Sequence, residues 1–159
     1  MVELSIVGVR VELPTNTPIV LLKEAQGDRY LPIWIGTSEA TAIAFALQGV
    51  ETPRPMTHDL MRDILEETSV HVVRVVITEL VDQTFYASLH LVSGGEGRQV
   101  SSRPSDAIAL AARMETPIFA DEGVVEAAGI EFKDEEETEV QKFRQFLDEV
   151  TPEDFAGGQ

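Results

Sequence analysis

Cysteine is absent from the 159 residues. That removes disulfides, thiolate metal sites, iron–sulfur clusters and cysteine nucleophiles together. Aromatic side chains are scarce, ten in all with a single tryptophan. Few of them have basic neighbours, so no stacking platform for nucleic-acid bases is visible. No apolar run reaches the ~18 residues of a membrane span, because Lys23, Glu39 and other polar residues interrupt every stretch. Positive charge is also short. Twelve Lys and Arg stand against 28 Asp and Glu, a net −16, with a sequence pI near 4.4. Such a field repels polyanions, and phosphate contacts dominate nucleic-acid affinity, so composition speaks against tight non-specific nucleic-acid binding. Nine of the 12 bases are nevertheless arginines, the residue suited to bidentate phosphate or carboxylate contacts, and a local positive pocket is compatible with the total. The first residues carry Glu3 where a secretory leader has positive charge, and a soluble cytoplasmic protein without membrane contact is expected.

What is present is enough apolar material for a core. Hydrophobic residues make up 43 % and the mean hydropathy is −0.01; a chain of this length buries roughly 70 % of its unfolded surface. Val2–Leu13 alternates with a phase slip near Ile6–Val7, which predicts a bulge or a sheet crossing. Ile19–Lys23 and Tyr30–Ile35 follow as strands of an antiparallel meander. Glu39–Gln48 reads as an Ala-rich helix ended by Gly49. Thr57 to about Glu67 reads as a second helix, capped by Thr57, with Leu60, Met61, Ile64 and Leu65 on its buried face. Two strands, Val70–Glu79 and Thr84–Val92, flank an Asp82-Gln83 turn. Gly94–Gly97 reads as a flexible loop and Arg98–Ser101 as a short edge strand. Asp106–Met114 is a small-residue helix with Ser105 as a cap, Thr116–Ala120 a strand and Gly123–Ala128 a short helix. Strands and helices come in segregated groups, so the predicted class is α+β: an antiparallel or mixed β-sheet core with several short helices packed against it, plus an amphipathic C-terminal helix. Residues 1–132 form the expected domain. Residues 133–159 divide into an acidic linker, a helix with Val140, Phe143, Leu147 and Val150 on one stripe, and a frayed tail. That stripe docks on its own domain or pairs with another copy, and a homo-oligomer, a dimer first, is expected.

Two segments place Arg-Pro before a helix with a hydroxyl and an Asp in the first turn: Arg54-Pro55-Met56-Thr57-His58-Asp59 and Arg103-Pro104-Ser105-Asp106. One explanation is helix-start chemistry alone, since Pro, Ser/Thr and Asp all favour a first turn. The other is a site. Helix N-termini attract anions, and Arg54, Arg103 and Ser105 could bind phosphate there. Asp59 and Asp106, with Glu39 as a third carboxylate, could hold a divalent cation. A mixed outcome pairs Arg54 and Arg103 with Asp106 and Asp59 as a structural clasp. His58, beside a carboxylate at a helix start, is the best general-base candidate, with a surface histidine as the alternative. His71 is expected packed or at a strand end, and His90 half-exposed on a strand. The three histidines lack the spacing of a zinc motif. Glu122 before Gly123 is either a first-turn acid or a further site carboxylate. Trp34 is expected in core or interface packing rather than base stacking. No dinucleotide fingerprint, Walker loop or Gly-x-Ser-x-Gly elbow is present.

Leu31-Pro32-Ile33-Trp34-Ile35-Gly36, Glu39-Ala40-Thr41-Ala42-Ile43, Arg54 to Leu60, Arg103 to Ala111, and Pro117 to Gly123 occur in order, and in this the chain resembles the bifunctional nuclease family of bacteria and plants. The likeness spans about residues 2–130. It implies an α+β domain that cleaves RNA and DNA, with nucleic acid as partner and Arg54, His58, Asp59, Arg103, Ser105, Asp106 and Glu39 as the matched polar positions. Two readings follow. In the first, Asp59, Asp106 and Glu39 hold Mg²⁺ or Mn²⁺, Arg54 and Arg103 stabilise charge on phosphate, and His58 moves the proton. In the second, the same fold is a non-catalytic oligomeric interaction or regulatory module.

Overall fold

The computed structural model describes residues 1–132. The three N-terminal segments pair as their alternation predicts. Strands β1 (Val2–Glu12), β2 (Thr17–Glu24) and β3 (Arg29–Trp34) form an antiparallel meander. The phase slip is a bulge: the β1–β2 register shifts between Ile6 and Gly8. Leu4 and Val9, an odd number of residues apart, are therefore both buried in the one core, which an unbroken strand would forbid.

Two helices follow, α1 (Thr37–Gln48) and α2 (Thr57–Glu67), then the antiparallel strands β4 (His71–Val81), β5 (Thr84–Ser93) and β6 (Glu96–Ser102). Gly49 ends α1 with φ 66°, the left-handed conformation expected of a glycine there. The segment read as a flexible loop is tighter than that. Ser93 pairs with Glu96 and Val92 with Gly97, so Gly94 and Gly95 make the turn and the next two residues already belong to the edge strand β6. Helix α3 (Pro104–Met114), β7 (Ile118–Ala120), α4 (Glu122–Ala128) and the unanticipated two-residue β8 (Ile130–Glu131) complete the described chain. Strand β7 joins the two groups of strands. It lies antiparallel to β1 and parallel to β4, giving one eight-stranded sheet of order β6-β5-β4-β7-β1-β2-β3-β8. The class is α+β, with a mostly antiparallel sheet.

Helix α1 packs on β1, β2 and α3, and α3 packs on β4, β5 and α2. Small side chains permit this layering: Ala40 and Ala44 in α1, and Ala107, Ala109 and Ala111 in α3, are buried. Helix α3 is buried nearly all round because it lies between the sheet and its sister helices. The buried face of α2 differs from expectation. Leu60 and Ile64 are exposed, whereas His58 is buried and Met61 and Leu65 pack against the core. Positions 58, 61 and 65 share a helical face, so the stripe is turned by a histidine that the apolar pattern did not count. The expected caps also move by a residue or two. Met56 and Arg103 are the N-cap residues, and Thr57 and Ser105 already lie inside their helices. The expected linker, amphipathic helix and tail of residues 133–159 lie outside the described residues.

A cleft at the starts of α1 and α3 as the candidate functional site

The end of β3 and the β4–β5 turn line one cleft, although β7, β1 and β2 lie between β3 and β4 in the sheet. Trp34, Ile35 and Gly36 form one wall, Gln83, Thr84 and Phe85 a second, and Arg103, Pro104 and Ser105 a third, around about 390 Å³ of open space. The starts of α1 and α3 both lie here, with Gly36 and Arg103 as N-caps that make no side-chain capping bond. Their first amide N–H groups therefore carry the positive ends of two helix dipoles towards this region.

A chain of polar contacts runs behind the Arg103 wall. Arg103 Nε donates to Asp106 Oδ2 at 2.9 Å and its Nη2 donates to Glu39 Oε1 at 2.8 Å. Thus α1 and α3 each contribute a carboxylate to one guanidinium. His58 Nε2 lies 2.9 Å from Asp106 Oδ1. Because an ionised carboxylate only accepts, Nε2 carries the proton and donates it into that bond. Burial pushes the Asp106 carboxyl up, but the bonds from His58 and Arg103 outweigh it and hold Asp106 below the usual carboxylate range. Arg103 in turn is held more firmly charged by Asp106 and Glu39. Its side chain remains 66 % exposed, so the charge is fixed in direction and still open to solvent.

Asp59 stands apart from this chain. Its Oδ1 accepts from Arg113 Nε at 2.6 Å, and its Oδ2 accepts from the Met56 backbone N–H at 3.0 Å. Burial raises its pKa, yet Arg113 and the Met56 amide together bring it below the ordinary value. Arg113, whose Nη1 also donates to the Ala109 carbonyl at 3.0 Å, belongs to neither Arg-Pro motif. The available signal was a basic residue in the last turn of α3, where the dipole favours one.

The proposed clasp is therefore half present, with a different partner. Arg103 meets Asp106, but Asp59 takes Arg113 in place of Arg54. Arg54 is exposed in the connector before α2, where its carbonyl accepts from Thr52 Oγ1 at 2.6 Å, and it is not among the cleft residues. His58 is 6 % exposed and no surface histidine. His71 is exposed at the start of β4, and His90 is half-buried with its pKa lowered by burial and by Arg74. Glu122 pairs with Arg29, which also bonds Glu24, at the opposite end of β3 from Trp34, and none of the three lines the cleft. Trp34 is not in the core, one of the two places expected for it. It is 56 % exposed at the cleft, because β3 turns Leu31 and Ile33 inward and its last residue outward.

Glu39, Asp59 and Asp106 do not fit a cation held by the protein. Both oxygens of each aspartate, and Oε1 of Glu39, already accept from Arg, His or backbone N–H groups. Among the described residues no group of three or more His, Asp or Glu side chains is placed to hold a metal ion. No described helix is long and apolar enough to cross a membrane.

Fold and site together define an α+β domain that presents one directed arginine, two helix starts and an exposed indole to a shallow cleft. The family model for the bifunctional nuclease domain matches residues 20–133. The chain belongs to the bifunctional nuclease domain family. It is 49 % identical over 164 aligned positions to an uncharacterized protein of Mycobacterium tuberculosis, covering 98 % of each chain. It is 33 % identical to bifunctional nuclease 1 of Oryza sativa subsp. indica over 63 % of this chain and 31 % of that protein. To bifunctional nuclease 2 of Arabidopsis thaliana it is 30 % identical over 67 % of this chain and 34 % of the relative. The chain thus matches about a third of the length of these plant relatives.

Proposed function

We propose that this chain hydrolyses phosphodiester bonds in RNA and DNA at the cleft beside Arg103. The observation that carries the reading is a solvent-open guanidinium aimed by two carboxylates from different helices, in a member of a family whose plant relatives are named nucleases. Arg103 meets the phosphate and offsets the charge that grows on its oxygens as water attacks and the P–O bond to the leaving sugar oxygen breaks, with solvent taking the water's proton and returning one to that oxygen. Asp106 and Glu39 fix the direction of that guanidinium before substrate arrives. His58 holds Asp106 and acts through it as a positioning residue. Ser105 faces the same cleft and offers the phosphate a hydrogen bond.

The test is cleavage of labelled single-stranded RNA and DNA with Mg²⁺, Mn²⁺ or EDTA. Arg103→Ala is expected to lose about 10²–10³ in kcat/KM, the usual size for a donor to a developing oxyanion. Because the carboxylates are already engaged, cleavage is expected to persist in EDTA. Equal activity in wild type and Arg103→Ala would sink the reading.

A second reading rests on the same saturation of Asp59 and Asp106 by arginine, histidine and backbone donors. Such pairs are also what a structural clasp in a non-catalytic binding module requires. Absence of cleavage by properly folded protein would select it.

A further inference from the structure

We propose that the cleft takes a single-stranded stretch of nucleic acid, with one base stacked on Trp34 and the adjoining phosphate on Arg103 and Ser105. This rests on the reading of the cleft as a phosphodiester site and names the form of substrate it admits.

Three observations point the same way. Trp34 is 56 % exposed at the cleft, although Leu31 and Ile33 of the same strand are buried. A large ring left in water beside a cation suits a flat ligand that covers it. Ser105 is only 7 % exposed yet lines the cleft, and its hydroxyl, which makes no side-chain hydrogen bond among the described residues, opens to the cleft and is not sealed from water. A hydroxyl held at a fixed place in the cleft donates to a ligand oxygen there. Arg103 uses Nε and Nη2 on its two carboxylates, leaving Nη1 without a bond among the described residues.

Charge decides which part of the ligand dominates. Glu39 and Asp106 together outweigh Arg103 by one negative charge, so a bare phosphate gains little here. A base that stacks does not meet that opposition, and stacking becomes the larger contribution. A duplex hides the faces of its bases in the stack; a single strand can turn one out. The cleft's modest volume suits one nucleotide against the indole and not a helix.

The chain contains a single tryptophan and two tyrosines, so fluorescence excited at the red edge, where tyrosine does not absorb, reports on this wall alone. Titrating the full chain with a short oligothymidylate is expected to quench that fluorescence saturably. The same strand annealed to its complement is expected to give little change. Anisotropy of a labelled strand then compares variants: Trp34→Ala is expected to weaken binding roughly 5- to 150-fold, the range for loss of one stacked base, and Trp34→Phe to retain most of it. Circular dichroism checks that each variant is folded. Unchanged fluorescence, or wild-type affinity in Trp34→Ala, would overturn the proposal. Cleavage that persists with no Trp34 effect would remove this inference and leave the nuclease reading; saturable quenching without cleavage would do the reverse.

Discussion

At the scale of single residues, two aspartates that look alike in the sequence have separate work. Asp106 aims Arg103, whereas Asp59 ties the start of α2 to the end of α3 through Arg113. Arg113 is nearly buried, so removing its partner leaves a charge with poor access to water. Asp59→Asn is therefore expected to cost about 2 kcal/mol at neutral pH, within the range for a hydrogen bond to a charged group, and to leave cleavage by the folded fraction unchanged. The pH dependence has a definite sign. The folded pKa of Asp59 lies below its unfolded value, so its contribution is present above about pH 4 and is lost as pH falls through the folded value. Urea unfolding of wild type and Asp59→Asn should show a gap at pH 7 that narrows on acidification. A gap constant across that range would mean the carboxylate is not the stabilising group.

At the scale of elements, the start of α1 controls the site through a glycine. Gly36 has φ −79°, which alanine adopts without strain. A Cβ there would meet the Glu39 carboxylate, which folds back over it, and that carboxylate is the movable end of a flexible side chain. Gly36→Ala should then leave stability within about 0.5 kcal/mol while displacing Glu39 from Arg103. Cleavage should fall to the level of Glu39→Gln, and the double variant should fall no further, since both remove one contact. Additive losses would place Glu39 and Gly36 in separate roles. This coupling is not readable from spacing, whereas much of the scaffold is. The alternation predicts the meander, its slip at Ile6–Val7 marks where the strand is irregular, and Gly49 marks the end of α1, because those signals are local. What escapes is decided between elements. Leu60 and Ile64 fit a buried stripe until His58, satisfied by Asp106 from α3, takes the inward position instead. Trp34 reads as core or interface because its neighbours are apolar, and only the end of β3 against the β4–β5 turn shows it facing out of the core. Arg54 and Arg103 share a motif, yet α1 offers a carboxylate to Arg103 alone.

For the whole molecule, a net charge of −16 and a proposed nucleic-acid substrate set opposing demands. A protein that tracks a strand with many cations releases counterions at each phosphate, and its affinity falls steeply with salt. This chain presents one directed arginine in the cleft, flanked by two carboxylates. One neutralised phosphate on a single strand corresponds to a slope of about −0.7 in log affinity against log salt. Added salt also screens the repulsion between the acidic surface and the strand, which moves the slope towards zero. Binding of a labelled oligothymidylate between ~50 and ~200 mM salt should therefore give a shallow slope, between zero and about −0.7. A slope steeper than about −2 would require several phosphates on cations outside the cleft, and the stacking account of affinity would fail. A shallow slope that vanishes together with affinity in Trp34→Ala would mean the acidic surface limits how much strand is held, while the indole supplies the hold at the one nucleotide admitted.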